Sequence, residues 1–139
     1  MIYQPVKVIL DMEQMEERLA YWQKQLRLQD WVVEVKFERG YELGENIARI
    51  RPYSHNKRAV ISMMAPGDYS PHEILPYDME RILLHELLHL HFWPLTKDDG
   101  ENDAEEQAIN AIAEALLSLE RRRQAAENRC EAVANRLYG

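Results

Sequence analysis

Two histidines four residues apart with a glutamate between them, His85-Glu86-Leu87-Leu88-His89, are the residues of this chain best suited to chemistry. On a helix, positions i and i+4 share a face and lie about 6 Å apart along the axis. Two imidazoles so placed can hold one Zn²⁺ at about 2.0–2.1 Å from each nitrogen. Glu86 falls one position on, near the same face. There it can take a proton from a water at the metal instead of ligating the metal itself. A Lewis acid, a source of nucleophile and a general base would then share one short stretch of chain.

The surrounding residues predict the helix that this geometry needs. Residues 79–92 contain no Gly or Pro, Pro76 and Pro94 bracket them, and Asp78 is placed to cap the first turn. Ile82, Leu83, Leu84, Leu87, Leu88 and Leu90 make the segment apolar nearly all round, which predicts a core helix. Polar side chains on such a helix need partners, because burying them unpaired costs several kcal/mol. A metal ion meets that need. The bland alternative is a pair of hydrogen-bonded core histidines beside an exposed glutamate. His91 lies two residues beyond His89, about 200° around the helix, so it cannot share the same ion and reads as a helix-end histidine near the C-terminal dipole.

The rest of the chain supplies an α+β frame. Asp11 and Gln14 form a capping-box pair ahead of a stripe of Met12, Met15, Leu19, Trp22 and Leu26, which predicts a helix over about 12–28. Trp31, Val33, Val35 and Phe37 alternate with more polar neighbours and predict a half-buried strand. Gly40 and Gly44 mark the turn region after it. A weaker strand is expected at 47–51, ended by Pro52, and a third at 58–63 with Ala59, Ile61 and Met63 on one face. Residues 65–77, with three prolines and one glycine, read as a loop. Residues 94–102 form a second, polar loop. A helix is expected from about 103, with Ile109, Ile112, Ala113, Leu116 and Leu119 as its apolar face. It runs on without a breaker to Gly139, or breaks softly near Arg121-Arg122-Arg123, a basic run that reads as a solvated face. Leu119, Ala126 and Val133 continue one seven-residue spacing, and Leu116, Cys130 and Leu137 belong to another. That stripe is a candidate for partner binding or self-association.

Length and composition bound the function. The 139 residues are read as a single domain spanning 1–139, with 120–139 a helical extension. The net charge of −7 argues against broad electrostatic binding to nucleic acid. With Cys130 alone, no intrachain disulfide forms and cysteine ligation of zinc is disfavoured. No secretory signal or membrane-spanning run is visible, and a cytoplasmic location is expected.

A catalytic zinc takes three protein ligands and keeps a fourth position open. The third ligand should come from the next helix, which opens Asp103-Ala104-Glu105-Glu106. Glu105 aligns with Ile109, Ile112 and Leu116, near the centre of the expected apolar face. Glu106 aligns with Asn110, Ala113 and Leu117 on a flanking face. Spacing alone slightly favours Glu105. Either glutamate also suits a helix N-terminus simply as a favourable charge.

His-Glu-Leu-Leu-His, a short loop and then Glu-Glu-Gln-Ala-Ile-Asn-Ala-Ile-Ala-Glu-Ala-Leu-Leu resembles the small metallopeptidases of the ImmA/IrrE type and related phage-encoded metallopeptidases. The resemblance covers roughly residues 15–120. It implies a minimal zincin-like fold: an N-terminal helix, a three-stranded sheet, the His-Glu-x-x-His helix and a long C-terminal helix. It selects Glu106 as the third ligand of one zinc, with Ile109, Asn110, Ile112 and Ala113 filling the family pattern. Asn110 departs from the Asp that related sites often carry four residues after that glutamate. The implied activity is hydrolysis of a peptide bond in a protein or peptide substrate, with Glu86 as general base and an edge strand that takes up extended peptide by strand addition. Rival readings are a zinc-containing regulatory or protein-binding module without turnover, a phage accessory protein acting through the C-terminal helix, and a SprT-like protease acting near DNA. His55, His72, Tyr53, Tyr69 and Tyr77 are candidate oxyanion stabilisers, among which the sequence selects none.

Overall fold

The computed structural model describes residues 3–95 and 103–139. The architecture is α+β, a small mixed sheet packed with three longer helices. The elements run α1 (Met12–Gln25), β1 (Val32–Glu38), a one-turn α2 (Gly40–Leu43), β2 (Ala48–Tyr53), β3 (Arg58–Met64), α3 (Met79–Phe92) and α4 (Asp103–Tyr138). Short 3₁₀ turns follow β3 and α3.

The start of α1 is fixed as its residue types dictate. The Asp11 carboxylate accepts from the Gln14 backbone N–H, and the Gln14 side chain accepts from the Asp11 N–H. Met15, Leu19 and Trp22 are the buried edge of its stripe. At the start of α3, Asp78 caps Arg81 N–H. An isolated parallel bridge from Val8 to Asp78 ties the N-terminal segment to the same point.

The strand order is β1-β3-β2, with β1 parallel and β2 antiparallel to β3. The central position of β3 explains its burial. Ala59, Ile61, Ser62 and Met63 are all buried, so this strand is covered on both faces and its alternation is blurred. β2 is an edge strand. That is why Pro52, expected to end it, is accommodated inside it, opposite Ala59. The glycine-flanked turn after β1 winds into α2, and Gly44 takes φ +67°, a conformation that suits a residue without a Cβ.

α3 packs against α1, β2 and α4. Leu83, Leu84 and Leu87 are fully buried, each worth about 1.5–3 kcal/mol relative to exposure. From Met79 to Leu90, only Arg81, His85 and His89 are less than fully buried. They recur every fourth residue and form one stripe, which faces a cleft.

α4 is one unbroken helix of 36 residues. Its buried face differs from the expected one. Ile109, Ala113, Leu117 and Glu120 are buried, whereas Ile112 and Leu119 are 39% and 57% exposed. The helix is rotated so that the Glu106–Asn110–Ala113–Leu117 flank, not the Ile112–Leu119 edge, meets α3. The basic run is a solvated face only in part: Arg122 and Arg123 are exposed, whereas Arg121 is half-buried. Arg121 forks onto Asp78 with two bonds of 2.8 Å, and Arg123 bonds Glu120 at 2.6 Å. The expected polar loop at 94–102 lies, from residue 96 on, outside the described residues.

Candidate metal centre

The cleft has a volume of about 1040 Å³ and lies between β2, α3 and the first turns of α4. Each wall follows from a local rule. The i, i+4 spacing aims His85 and His89 out of the same side of α3. The return of α4 against α3 brings Glu106 across from them. The edge position of β2 leaves residues 48–50 to form the opposite wall.

The two histidines and Glu106 converge. Glu106 Oε2 lies 3.0 Å from His85 Nε2, and its Oε1 lies 3.1 Å from His89 Nε2. One ligating atom from each of the three residues falls within 4.8 Å of the others, so the group can hold a metal ion. Three ligands at 2.0–2.1 Å around a tetrahedral ion stand roughly 3.3 Å from one another, close to the two observed separations. Glu105 is also nearby, but its carboxylate is 3.7 Å from His89 Nδ1, the other ring nitrogen. The rotation of α4 separates the two glutamates: the residue on the flank lined by Asn110 and Ala113 reaches both histidines.

The hydrogen-bond pattern explains why this group favours a cation. Asn110 Oδ1 lies 2.9 Å from His85 Nδ1. A side-chain carbonyl only accepts, so the ring proton belongs on Nδ1 and the Nε2 lone pair is left facing Glu106. Two acceptors 3.0 Å apart repel unless a proton or a cation lies between them. Burial, opposed by the charge of Glu106, lowers the pKa of His85 below the usual imidazole range and so disfavours the proton. The donor set therefore suits a metal ion that accepts imidazole nitrogen and carboxylate oxygen. Asn110 thus orients the His85 ring although it lacks the charge of an aspartate.

Glu86 is buried and lies on the cleft wall. Burial first, and the charge of Glu106 second, push its pKa up to about 8. A cation held by His85, His89 and Glu106 would cancel the second influence and favour the carboxylate form, the form a general base needs.

The remaining candidates are elsewhere. Tyr77 is buried, stacks on Tyr69 with ring centroids 4.4 Å apart and donates to the Met64 carbonyl. Tyr69 donates to the Leu75 carbonyl. Neither these tyrosines nor Tyr53, His55 and His72 line the cleft. His91 is turned away from the centre, as expected, and bonds the Leu26 carbonyl at 2.7 Å. Among the described residues, the arginines that line the cleft are Arg49 and Arg81. Arg81 could have been found from its spacing, four residues before His85. Arg49 could not, because only the sheet order puts β2 beside the metal helix. Comparison with protein-family models, with curated proteins and with solved structures finds no match for this chain.

Proposed function

We propose that the protein is a zinc-dependent metallopeptidase that hydrolyses a peptide bond in a protein substrate. The observation that carries this reading is the convergence of His85, His89 and Glu106 on one point, with the buried Glu86 carboxyl beside them on the wall of an open cleft. Among the described residues the donor set has three members, which leaves one position for water or substrate, as catalytic zinc sites do and closed structural sites do not. When bound, zinc polarises the scissile carbonyl and lowers the pKa of water towards about 7.

The chain's own residues do the rest. Glu86 accepts the proton of the attacking water and passes it to the leaving amine. Asn110 holds the His85 ring in the tautomer that presents Nε2. The free edge of β2 offers main-chain groups to an extended segment of substrate, so the backbone of the substrate is bound in register with the cleft.

The test uses variants that separate metal from turnover. Protein purified without chelator should carry about one zinc per chain, measured by metal analysis, and the double variant His85→Ala/His89→Ala should carry none. Glu86→Gln should retain zinc while its ability to complement a deletion of the gene collapses, in line with a loss of general-base catalysis of about 10²–10⁴-fold. Full complementation by zinc-loaded Glu86→Gln would remove the hydrolase and leave a zinc-binding module. Full zinc occupancy in the double histidine variant would remove both.

A further inference from the structure

Past Gln124, α4 leaves the body of the protein, and every residue from 125 to 139 is exposed. Helix propensity accounts for the helix itself, since Ala125, Ala126, Ala132 and Ala134 lie in this stretch. It does not account for the apolar seam along it. Ala126, Cys130, Val133 and Leu137 recur at alternating spacings of four and three and continue the spacing of Leu116, Leu119 and Arg123, of which Leu116 packs on the core and Arg123 lies over Tyr21 of α1; together these are the a and d positions of a heptad. Leu119, Val133 and Leu137 are 57%, 44% and 68% exposed. From Leu119 to Leu137 the seam spans about 27 Å.

The charges beside the seam identify its occupant. With Leu116 at a, the g positions are Arg122, Arg129 and Arg136, and the e positions are Glu120, Glu127 and Ala134. In a parallel pair of identical helices, g of one faces the following e of the other. Arg122 then meets Glu127 of the other copy, twice by symmetry, and Arg129 meets Ala134. An antiparallel pair would set arginine against arginine. Glu127 is bound within its own helix only by Arg123, in a surface pair, and such i, i+4 pairs are worth about 0.3–0.5 kcal/mol. It is free to be shared.

We propose that the C-terminal half of α4 pairs in parallel with that of a second copy of this chain. The pairing is in register, so Cys130 faces Cys130. Arg123 at an a position and Ala126 at d make the seam weak, and the dimer forms and dissociates with concentration. The two clefts, at the opposite end of α4, stay open in the dimer.

Sedimentation velocity of the full chain between about 1 and about 500 µM tests this. The expected result is a monomer passing into a dimer. Val133→Lys and Leu137→Lys, both at exposed positions, should each keep the monomer at the highest concentration with unchanged helical circular dichroism. Diamide oxidation should link the wild-type dimer through Cys130, and a Cys130→Ser/Ala132→Cys variant, with its thiol off the seam, should not be linked. A chain that remains monomeric throughout overturns the proposal. So does a dimer that survives both lysines, or one in which Cys130 is not cross-linked, since that dimer uses another surface or the antiparallel arrangement.

Discussion

α3 and α4 enclose two polar clusters, and the helices compensate them in opposite ways. At the start of α3, buried Asp78 and Glu80, with buried Glu120 from α4, meet protein cations and donors. Arg121 forks onto Asp78, Tyr3 donates to it at 2.7 Å, and Arg18 bridges Glu80 and Glu120 at 2.6 and 2.9 Å. Trp22 Nε1–H completes Glu80 at 2.8 Å. Two turns further on, Glu106 faces the Nε2 atoms of His85 and His89, and the His85 nitrogen faces it as an acceptor. The first cluster is closed electrically, and its role is to fix how α1, α3 and α4 sit together. In the second, the His85 nitrogen and the Glu106 carboxylate repel each other, and a bound cation would relieve that. Buried acids with arginine partners brace a fold; half-buried histidines and a more exposed carboxylate that converge on one point form a group that could hold an ion.

The largest effect should come from opening the closed cluster. Arg121→Ala leaves Asp78, the α3 cap, buried with a single donor side chain, and should cost about 3–5 kcal/mol in urea unfolding. A loss under about 1 kcal/mol, as for a surface pair, would make the two clusters alike. The second test works on the open cluster. Glu106→Gln should weaken zinc binding by more than about 100-fold, beyond the range for partners outside the ligand set, and Glu105→Gln should leave it nearly intact. The reverse order, in competition with a chromophoric chelator, would move the centre to Glu105. The smallest effect should come from Asn110→Ala, which frees the His85 ring without removing a ligand. Zinc affinity should fall about 10–100-fold, roughly 1.4–2.7 kcal/mol. An unchanged affinity would show that packing alone orients the ring.

Local signals reached far into this molecule. Asp78 as a cap, Pro76 and Pro94 as breakers and the run of leucines are enough to place α3 at Met79–Phe92, because capping and the loss of an N–H act within a turn of where they occur. The Asp11–Gln14 box does the same for α1. α4 shows the limit. Ile112 and Leu119 are as hydrophobic as the residues that became buried, so periodicity could not tell which edge of a broad apolar face would turn inward. The family resemblance pointed to Glu106 where the helical spacing leaned to Glu105, and the packing of α4 puts Glu106 within 3.1 Å of both histidines. Arg121 looked solvated because its partner is not within reach along the chain: Asp78 is 43 residues away.

The sequence by itself determined the donor types, the i, i+4 pairing of His85 with His89, the position of Glu86 one residue on, and the extent of the helix that bears them. These depend on the 3.6-residue repeat and on capping, which are properties of a few consecutive residues. Only the tertiary structure decided that β3 lies between β1 and β2, that β2 faces the cleft with Arg49, that Glu106 rather than Glu105 joins both histidines, and that Arg121 closes on Asp78. Each of these turns on how one element is rotated or ordered against another. That choice is made by the packing of the whole core, where burial of Leu117 and Ala113 against α3 outweighs the exposure of Ile112 and Leu119.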